Sequence, residues 1–124
     1  MSSISLEEVE SFLEEFKQKF RIYGVFFKNR DKNEQALLDL EITPKQREEF
    51  LLSLKPDDYS SGPFSDAYDP QSPDNYEFGI IIKKKEVYIK INMGKPSKRV
   101  MCISFHIAER EMNYPFKKKN EIRK

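Results

Sequence analysis

The segment YEFGIIIKKKEVYIKINMGKPSKRVMCISFHI, residues 76–107, decides the fold of this chain. Its β-branched and aromatic residues fall into three runs, and the short connections between them carry lysine, glycine, proline and serine. This pattern predicts three strands, Tyr76 to Lys83, Glu86 to Asn92 and Arg99 to His106. Because both connections are short, we expect the strands to form an antiparallel meander.

Alternation along these strands divides their side chains between two faces. The core face is expected to carry the apolar side chains of the last two strands: Val87, Ile89, Ile91, Met101, Ile103 and Phe105. The other face would then collect polar side chains from all three strands: Glu77, Lys83, Glu86, Tyr88, Lys90, Asn92, Cys102, Ser104 and His106. Antiparallel sheets often have a polar outer face, so a plain solvated surface is the alternative to a functional one.

Helices are predicted before the sheet. Ser5 and Glu8 form the pattern of a capping box, and apolar residues follow at helical spacing up to Phe20. A short helix is expected through Ala36 to Leu40. Thr43, with Pro44 and Gln46 after it, predicts the start of a third helix that ends near Lys55.

The remaining segments complete an α+β domain over residues 1–112. Ile22 to Lys28 is aromatic and β-branched enough to predict a strand, and Asp57 to Asn75 has the composition of a long surface loop. Residues 113–124 form a basic C-terminal tail that we expect to fray. The predicted fold is a small antiparallel sheet with two to three helices packed on one face.

Scarce residues exclude several classes of function. Cys102 is the only cysteine and His106 the only histidine, so the chain holds neither a disulfide nor a zinc cluster of Cys and His. The four glycines lack the spacing of a phosphate-binding loop. The longest apolar stretches, such as Phe78 to Ile82, are far too short for a membrane span, and the acidic start differs from a secretory signal. We therefore expect a cytoplasmic protein without cofactor or metal.

Charge is distributed unevenly along the chain. Residues 1–74 carry nine Lys and Arg against sixteen Asp and Glu, a balance of −7, whereas residues 75–124 carry thirteen against five, a balance of +8. Such a chain either neutralises itself on folding or shows a basic face to an anionic partner, for which nucleic acid is the first candidate. An acidic first half would be free to contact a protein partner.

The polar face suits the cleavage of RNA through its own 2′-hydroxyl group. That substrate carries its nucleophile, so the protein needs only a base, an acid and positive charge at the phosphate. Lys83, Lys90 and Arg99 are candidates to hold the phosphate, and Tyr88 and His106 are candidates for proton transfer. Cys102 is more simply a small apolar filler than a nucleophile.

Four blocks of the chain together resemble the MqsR family of bacterial type II toxins: ITPKQREEFLLSLKPDDYSSGP, YEFG, KEVYIKI and CISFHIAE, in this order between Leu37 and Phe116. The resemblance implies a RelE-like fold and a metal-independent mRNA endoribonuclease. It also implies an antitoxin partner, which in this family often binds DNA. Cleavage would leave a cyclic phosphate and a 5′-hydroxyl.

The resemblance also implies roles for individual residues. Tyr88 and Lys90 match the tyrosine and lysine of the family's V-Y-L-K segment. Three positions depart from the family: His106 stands in place of a functional lysine, Glu77 in place of a glutamine and Ser60 in place of a lysine. An imidazole at 106 keeps a possible cation and adds an acid or base that titrates near neutral pH.

Several alternatives stay open at this stage. The lysines of the predicted hairpin, Lys83, Lys84 and Lys85, either contact RNA or simply solvate and protect a strand edge. The domain as a whole could be a non-catalytic RNA- or protein-binding module on the same scaffold. A third reading is a toxin that cuts only mRNA docked in a ribosome. The sequence gives neither the base preference nor the oligomeric state.

Overall fold

The computed structural model describes residues 4–117, which form an α+β domain, so the predicted fold class is confirmed. Its helices are α1 (Leu6–Tyr23), α2 (Asp31–Leu40) and α3 (Pro44–Leu52), followed by a 3₁₀ turn at Pro56–Asp58. Its strands are β1 (Val25–Phe27), β2 (Tyr59–Phe64), β3 (Asn75–Ile82), β4 (Lys85–Asn92) and β5 (Val100–Ile107). The predicted meander corresponds to β3, β4 and β5.

Local capping signals set the starts of two helices as predicted. The Ser5 hydroxyl accepts a hydrogen bond from the Glu8 amide, and the Glu8 carboxylate accepts one from the Ser5 amide. Thr43 and Gln46 form the same reciprocal pair at the start of α3, with Pro44 in its first turn. Within residues 4–117, none of the helices has both the length and the apolar character that crossing a bilayer requires.

The sheet is mixed, so the prediction of a purely antiparallel sheet is wrong at one edge. The strand order is β1-β5-β4-β3-β2, and β1 runs parallel to β5 while the other neighbours are antiparallel. Helix α1 extends beyond its predicted end to Tyr23, and Gly24, at φ +86°, then turns the chain into β1. The strand is therefore shorter than the predicted Ile22 to Lys28.

The other edge of the sheet lies where a loop was predicted. Strand β2 consists of Ser, Gly and Pro between two aromatic residues, which is a poor strand sequence. Its pairing with β3 is irregular, and Tyr59, beside Phe78 in that pairing, is buried with its ring edge-on to the Phe78 ring. Packing therefore places this segment at the sheet edge, where a proline such as Pro63 is tolerated.

One hydrophobic core lies between the helices and one face of the sheet. From α1 it takes the apolar stripe that includes Phe12, Phe16 and Phe20, and α2 and α3 add Leu40 and Leu51. The strands contribute Phe78, Ile82, Val87, Ile89, Ile91, Val100, Cys102 and Phe105. The opposite face of the sheet, which we call the outer face, is left for polar groups.

A bulge in β5 corrects the predicted assignment of faces. Lys90 lies opposite Ser104, but the next pair is Ile91 with Cys102, so Ile103 has no partner on β4. Cys102 therefore points into the core, with no exposed surface, although it was predicted on the outer face. Met101 and Ile103, predicted in the core, are partly exposed and border a groove on the outer face. Phe105, Ser104 and His106 lie on the predicted faces.

The first part of the C-terminal tail packs against the domain, contrary to the expectation of fraying. The Phe116 ring lies 5.5 Å from the ring of Tyr59, and the ammonium group of Lys117 lies 3.0 Å from the Asp58 carboxylate. Residues 118–124 lie outside the described residues. The segment from Ala108 to Lys117 therefore runs from the end of β5 back across the sheet.

Candidate functional site

A groove of about 430 Å³ lies on the outer face, where β3, β4 and β5 meet the segment after β5. Strand β4 contributes Tyr88 and Lys90, and β3 contributes Glu77. Strand β5 contributes Ser104 and His106, which lie opposite Lys90 and Tyr88 in the pairing. We call this the polar groove. It brings together the two candidates for proton transfer, Tyr88 and His106, with Lys90 and with Glu77, which stands at a functional position of the family that the chain resembles.

A chain of hydrogen bonds fixes the tyrosine of the polar groove. The Tyr88 hydroxyl donates to Oε2 of Glu77 at 2.7 Å, and the Ser61 hydroxyl donates to Oε1 of the same carboxylate at 2.6 Å. Burial raises the pKa of Tyr88 well above its usual value, and the hydrogen bond to Glu77 and the negative charge of that carboxylate raise this pKa further. Tyr88 is therefore a proton donor and not a ready-made base.

His106 lies beside Tyr88, and one of its ring nitrogens is hydrogen-bonded to the backbone. The rings of Tyr88 and His106 are 5.4 Å apart, and only 8% of the His106 surface is exposed. Its Nδ1 lies 3.0 Å from the carbonyl oxygen of Ile107, and because a carbonyl can only accept, Nδ1 carries the proton. This assignment leaves Nε2 as the nitrogen that can accept a proton in the neutral ring.

Positive charge reaches the polar groove from β4 and from the loop before α2. Lys90 lies next to Ser104 across the strand pair, and Nη1 of Arg30 donates to the Ser104 hydroxyl at 3.0 Å. Lys32 borders the groove as well, but its ammonium group is paired with Glu109 at 2.6 Å. Arg30 was not nominated by the sequence, because nothing in the segment around it indicates that it reaches a residue on β5.

The residues nominated for substrate binding are divided between several places. Ser60 lines the polar groove. Lys83 and Lys85 instead donate hydrogen bonds to the carbonyl oxygens of Glu41 and Asp39 at the end of α2, at 2.7 and 3.2 Å. Lys84 lies between them in the β3–β4 turn, outside the lining of the groove. Arg99 borders a different groove, with its guanidinium 5.2 Å from the centre of the Phe26 ring.

A buried asparagine, which sequence reasoning also missed, holds the bulge that orients Ser104 and His106. The side-chain amide of Asn33 donates to the carbonyl of Ile103 and accepts from the amide of Phe105, both at 3.0 Å. It also donates to the carbonyl of Lys28 at 3.0 Å, and no surface of Asn33 is exposed. The side chain thus supplies hydrogen bonds that a neighbouring strand would make beyond the end of β1.

The segment after β5 closes one end of the polar groove. The Tyr114 hydroxyl donates to the Glu86 carboxylate at 2.6 Å, and the side chains of Tyr114 and Met112 lie over Gly79 on β3. A Cβ at position 79 would overlap the Tyr114 hydroxyl, so only glycine permits this approach. Gly79 pairs with Tyr88, so the covered area adjoins the candidate site.

Within residues 4–117, no group of three or more His, Cys, Asp and Glu side chains is placed to hold a metal ion. Comparison with known proteins adds no relative: no family model, no curated protein and no solved structure matches this chain.

Proposed function

We propose that this protein is a metal-independent endoribonuclease that cleaves mRNA in the cytoplasm and acts as the toxin of a type II toxin–antitoxin pair, on a RelE-like fold. The observation that carries the proposal is the convergence of Tyr88, His106, Lys90 and Arg30 in one groove. A proton donor, a proton acceptor and two cations are the groups that attack by a 2′-hydroxyl requires.

The proposed reaction assigns one task to each group. Nε2 of His106 accepts the proton of the 2′-hydroxyl as its oxygen attacks the adjacent phosphorus. The bond from phosphorus to the 5′-oxygen breaks, and the Tyr88 hydroxyl turns its hydrogen from Glu77 to the leaving oxygen and donates the proton to it. The products are a 2′,3′-cyclic phosphate and a 5′-hydroxyl, and proton exchange through water resets both side chains.

Lys90 and Arg30 stabilise the negative charge of the reacting phosphate in this proposal. Both line the groove that holds Tyr88 and His106, so the non-bridging oxygens of a phosphate placed there would lie near two cations. Glu77 orients Tyr88 by accepting its hydrogen bond, and Ser61 in turn orients Glu77. A carboxylate in place of the family's glutamine therefore has a positioning task and not a phosphate-binding one.

The toxin role rests on the resemblance to the MqsR family and on the charge of α1. The helix buries one apolar stripe and exposes the carboxylates of Glu7, Glu8, Glu10, Glu14 and Glu15. This acidic surface is distinct from the polar groove, so an antitoxin with a basic segment could bind it. A chimera that replaces residues 1–40 and still binds the antitoxin fully would contradict this assignment.

The test of the nuclease proposal is incubation of the purified protein with single-stranded RNA and excess chelator. We expect defined fragments that end in a 2′,3′-cyclic phosphate. Tyr88→Phe and His106→Ala should each lower the cleavage rate by ~10²–10⁴-fold and retain most of the RNA affinity. Tyr68→Phe, at a tyrosine that is 99% exposed, and Lys45→Ala on the exposed side of α3 are matched controls that should cleave normally.

The outcomes separate the proposal from its alternatives. RNA that binds without being cut, both free and in a translating extract, would contradict the proposal and favour a binding module. Cleavage only in a translating extract would support a toxin that requires the ribosome. Cleavage that chelator abolishes would exclude the metal-independent mechanism.

A further inference from the structure

A second groove, larger than the first, lies on the same outer face at the other end of β5. It encloses about 990 Å³ between the end of β4, the start of β5, β1 and the loop at residues 65–74. Its apolar lining includes Phe26, Met101 and Ile103 on the two strands, and we call this second groove the apolar groove. The distance from Ile103 in this groove to His106 in the polar groove is only about 10 Å along an extended strand, so the two grooves adjoin.

The bulge in β5 explains why apolar side chains face outward here. Met101 pairs with Phe26 across the parallel strands, so both side chains lie on the outer face. The unpaired Ile103 joins them, although it precedes Ser104, which borders the polar groove. Phe26 is 40% exposed, so part of its aromatic side chain is open to a ligand beside the Arg99 guanidinium. Aromatic and apolar surfaces of this kind are where unpaired bases stack.

One wall of the apolar groove is cationic. Lys28, Lys95, Lys98 and Arg99 border it, and the guanidinium of Arg99 lies 5.2 Å from the centre of the Phe26 ring. Three of these four side chains, those of Lys95, Lys98 and Arg99, come from the β4–β5 connection, so most of the positive charge comes from one segment. Such a wall attracts the phosphates of a nucleic acid strand.

The loop between β2 and β3 contributes hydrogen-bond acceptors to the same groove. Asp66, Asp69 and Gln71 in the loop between β2 and β3 border the groove. Oδ1 of each aspartate accepts from a backbone amide of its own turn, Tyr68 for Asp66 and Gln71 for Asp69, which leaves Oδ2 for a ligand. A carboxylate accepts from the exocyclic amino group of cytosine or adenine and repels the carbonyl oxygens of uracil.

We infer that the apolar groove binds a nucleotide that flanks the scissile phosphate of single-stranded RNA and prefers cytosine or adenine to uracil there. The base stacks on Phe26, Met101 and Ile103, its phosphate faces the cationic wall, and its amino group faces Asp66 and Asp69. A nucleotide combines a flat base, an amino group and a phosphate, and the groove offers an apolar surface, carboxylates and cations that match them. The inference rests on the proposed function, because it takes the polar groove as the place of cleavage.

The test measures binding without cleavage. Short 2′-O-methyl oligonucleotides lack the nucleophile, so their Kd can be measured by fluorescence anisotropy whether or not the protein is an enzyme. We expect oligo(C) to bind about 2- to 10-fold more tightly than oligo(U), since one hydrogen bond distinguishes them. Asp69→Asn, which keeps the acceptor of the turn and removes the charge, should reduce this ratio.

Substitutions at the stacking surface should weaken both oligonucleotides. Phe26→Ala should raise the Kd of oligo(C) by roughly 5- to 150-fold, the range for the loss of one stacking aromatic. Arg99→Gln should raise Kd and reduce the dependence of log Kd on log salt by about one phosphate contact. Ile22→Ala, at an isoleucine that is 73% exposed, and Lys45→Gln are the matched controls that should leave Kd unchanged. Circular dichroism checks that Phe26→Ala folds, and Arg99→Gln tests the groove independently.

The outcomes separate this inference from the proposed function. If Phe26→Ala and Arg99→Gln both bind oligo(C) like their controls, the inference is wrong, even if the protein cleaves RNA. If both weaken binding but no cleavage occurs, the apolar groove stands as an RNA site and the nuclease proposal fails. An unmodified protein that binds no oligonucleotide at millimolar concentration would overturn the inference and favour a peptide as occupant.

Discussion

Strands β4 and β5 lie side by side, yet only β4 alternates without interruption. Val87, Ile89 and Ile91 are fully buried, while Tyr88 and Lys90 between them border the polar groove. In β5 the bulge at Ile103 shifts the alternation by one residue. Odd-numbered residues, such as Met101, face outward before the bulge, and even-numbered residues, such as His106, face outward after it. Alternation thus reports the face of a residue only as long as the pairing with the next strand continues.

The difference between the strands has a cause outside both of them. Strand β4 is paired along its length with β3 and β5. The edge of β5 away from β4 is paired with the short β1 only as far as Cys102. After Cys102, the side-chain amide of Asn33 makes the hydrogen bonds to the backbone of Ile103 and Phe105. The bulge therefore depends on one side chain of α2, and substitutions there and on the two strands test this account.

The largest expected effect concerns the thiol of Cys102. Burial raises the pKa of this thiol to about 12, and no surface of the residue is exposed. We expect a thiol reagent to label native Cys102 at least ~10³-fold more slowly than the urea-unfolded chain, because labelling requires opening of the core. Met101→Cys in a Cys102→Ala background should label rapidly. Fast labelling of native Cys102 would mean that β5 continues the simple alternation.

The second-largest expected effect is on the free energy of unfolding when Asn33, whose side chain holds the bulge, is replaced. Asn33→Ala removes three hydrogen bonds and leaves buried backbone groups of Ile103 and Phe105 without partners. We expect the free energy of unfolding, from urea titration, to fall by about 3 kcal/mol. Gln35→Ala, which removes an exposed side-chain hydrogen bond on the same helix, should cost less than about 0.5 kcal/mol. Equal costs for the two variants would contradict the role of Asn33.

The smallest effect is the difference between two isoleucine substitutions, one in each strand. Ile91→Ala should lower the free energy of unfolding by about 3 kcal/mol, because Ile91 is fully buried in the core. Ile103→Ala should lower the free energy of unfolding by only about 1 kcal/mol, since the Ile103 side chain is partly exposed in the apolar groove. Denaturant titration of both variants measures the difference, and similar losses would place Ile103 in the core after all.

Sequence reasoning succeeded where the determinants are local. The caps at Ser5 and Thr43 depend on residues three positions away, and the outward side chains of β4 depend on alternation alone. Tyr88, Lys90 and Glu77 were nominated correctly as neighbours for this reason. His106 was placed on the correct face because it lies beyond the bulge, in the part of β5 that keeps the expected phase.

It failed where distant residues decide. Asn33 lies 70 positions from Ile103, and Arg30 lies 74 positions from Ser104, so no local pattern relates them. Strand β2 forms because Tyr59 packs on Phe78, which overrides the weak strand propensity of its serines and glycine. The apolar groove was missed because the bulge was missed. Without the bulge, simple alternation assigns Met101 and Ile103 to the core.

The crossing of Tyr114 over Gly79 has a consequence for any polymer on the outer face. A strand that entered along the apolar groove and passed Lys90 would meet this crossing just after Tyr88. The Tyr114 side chain would block the path at this point, so the polymer would have to bend away from the protein beside Tyr88. If the polymer were a nucleic acid, such a sharp bend would unstack neighbouring bases and would suit flexible single strands more than rigid duplexes.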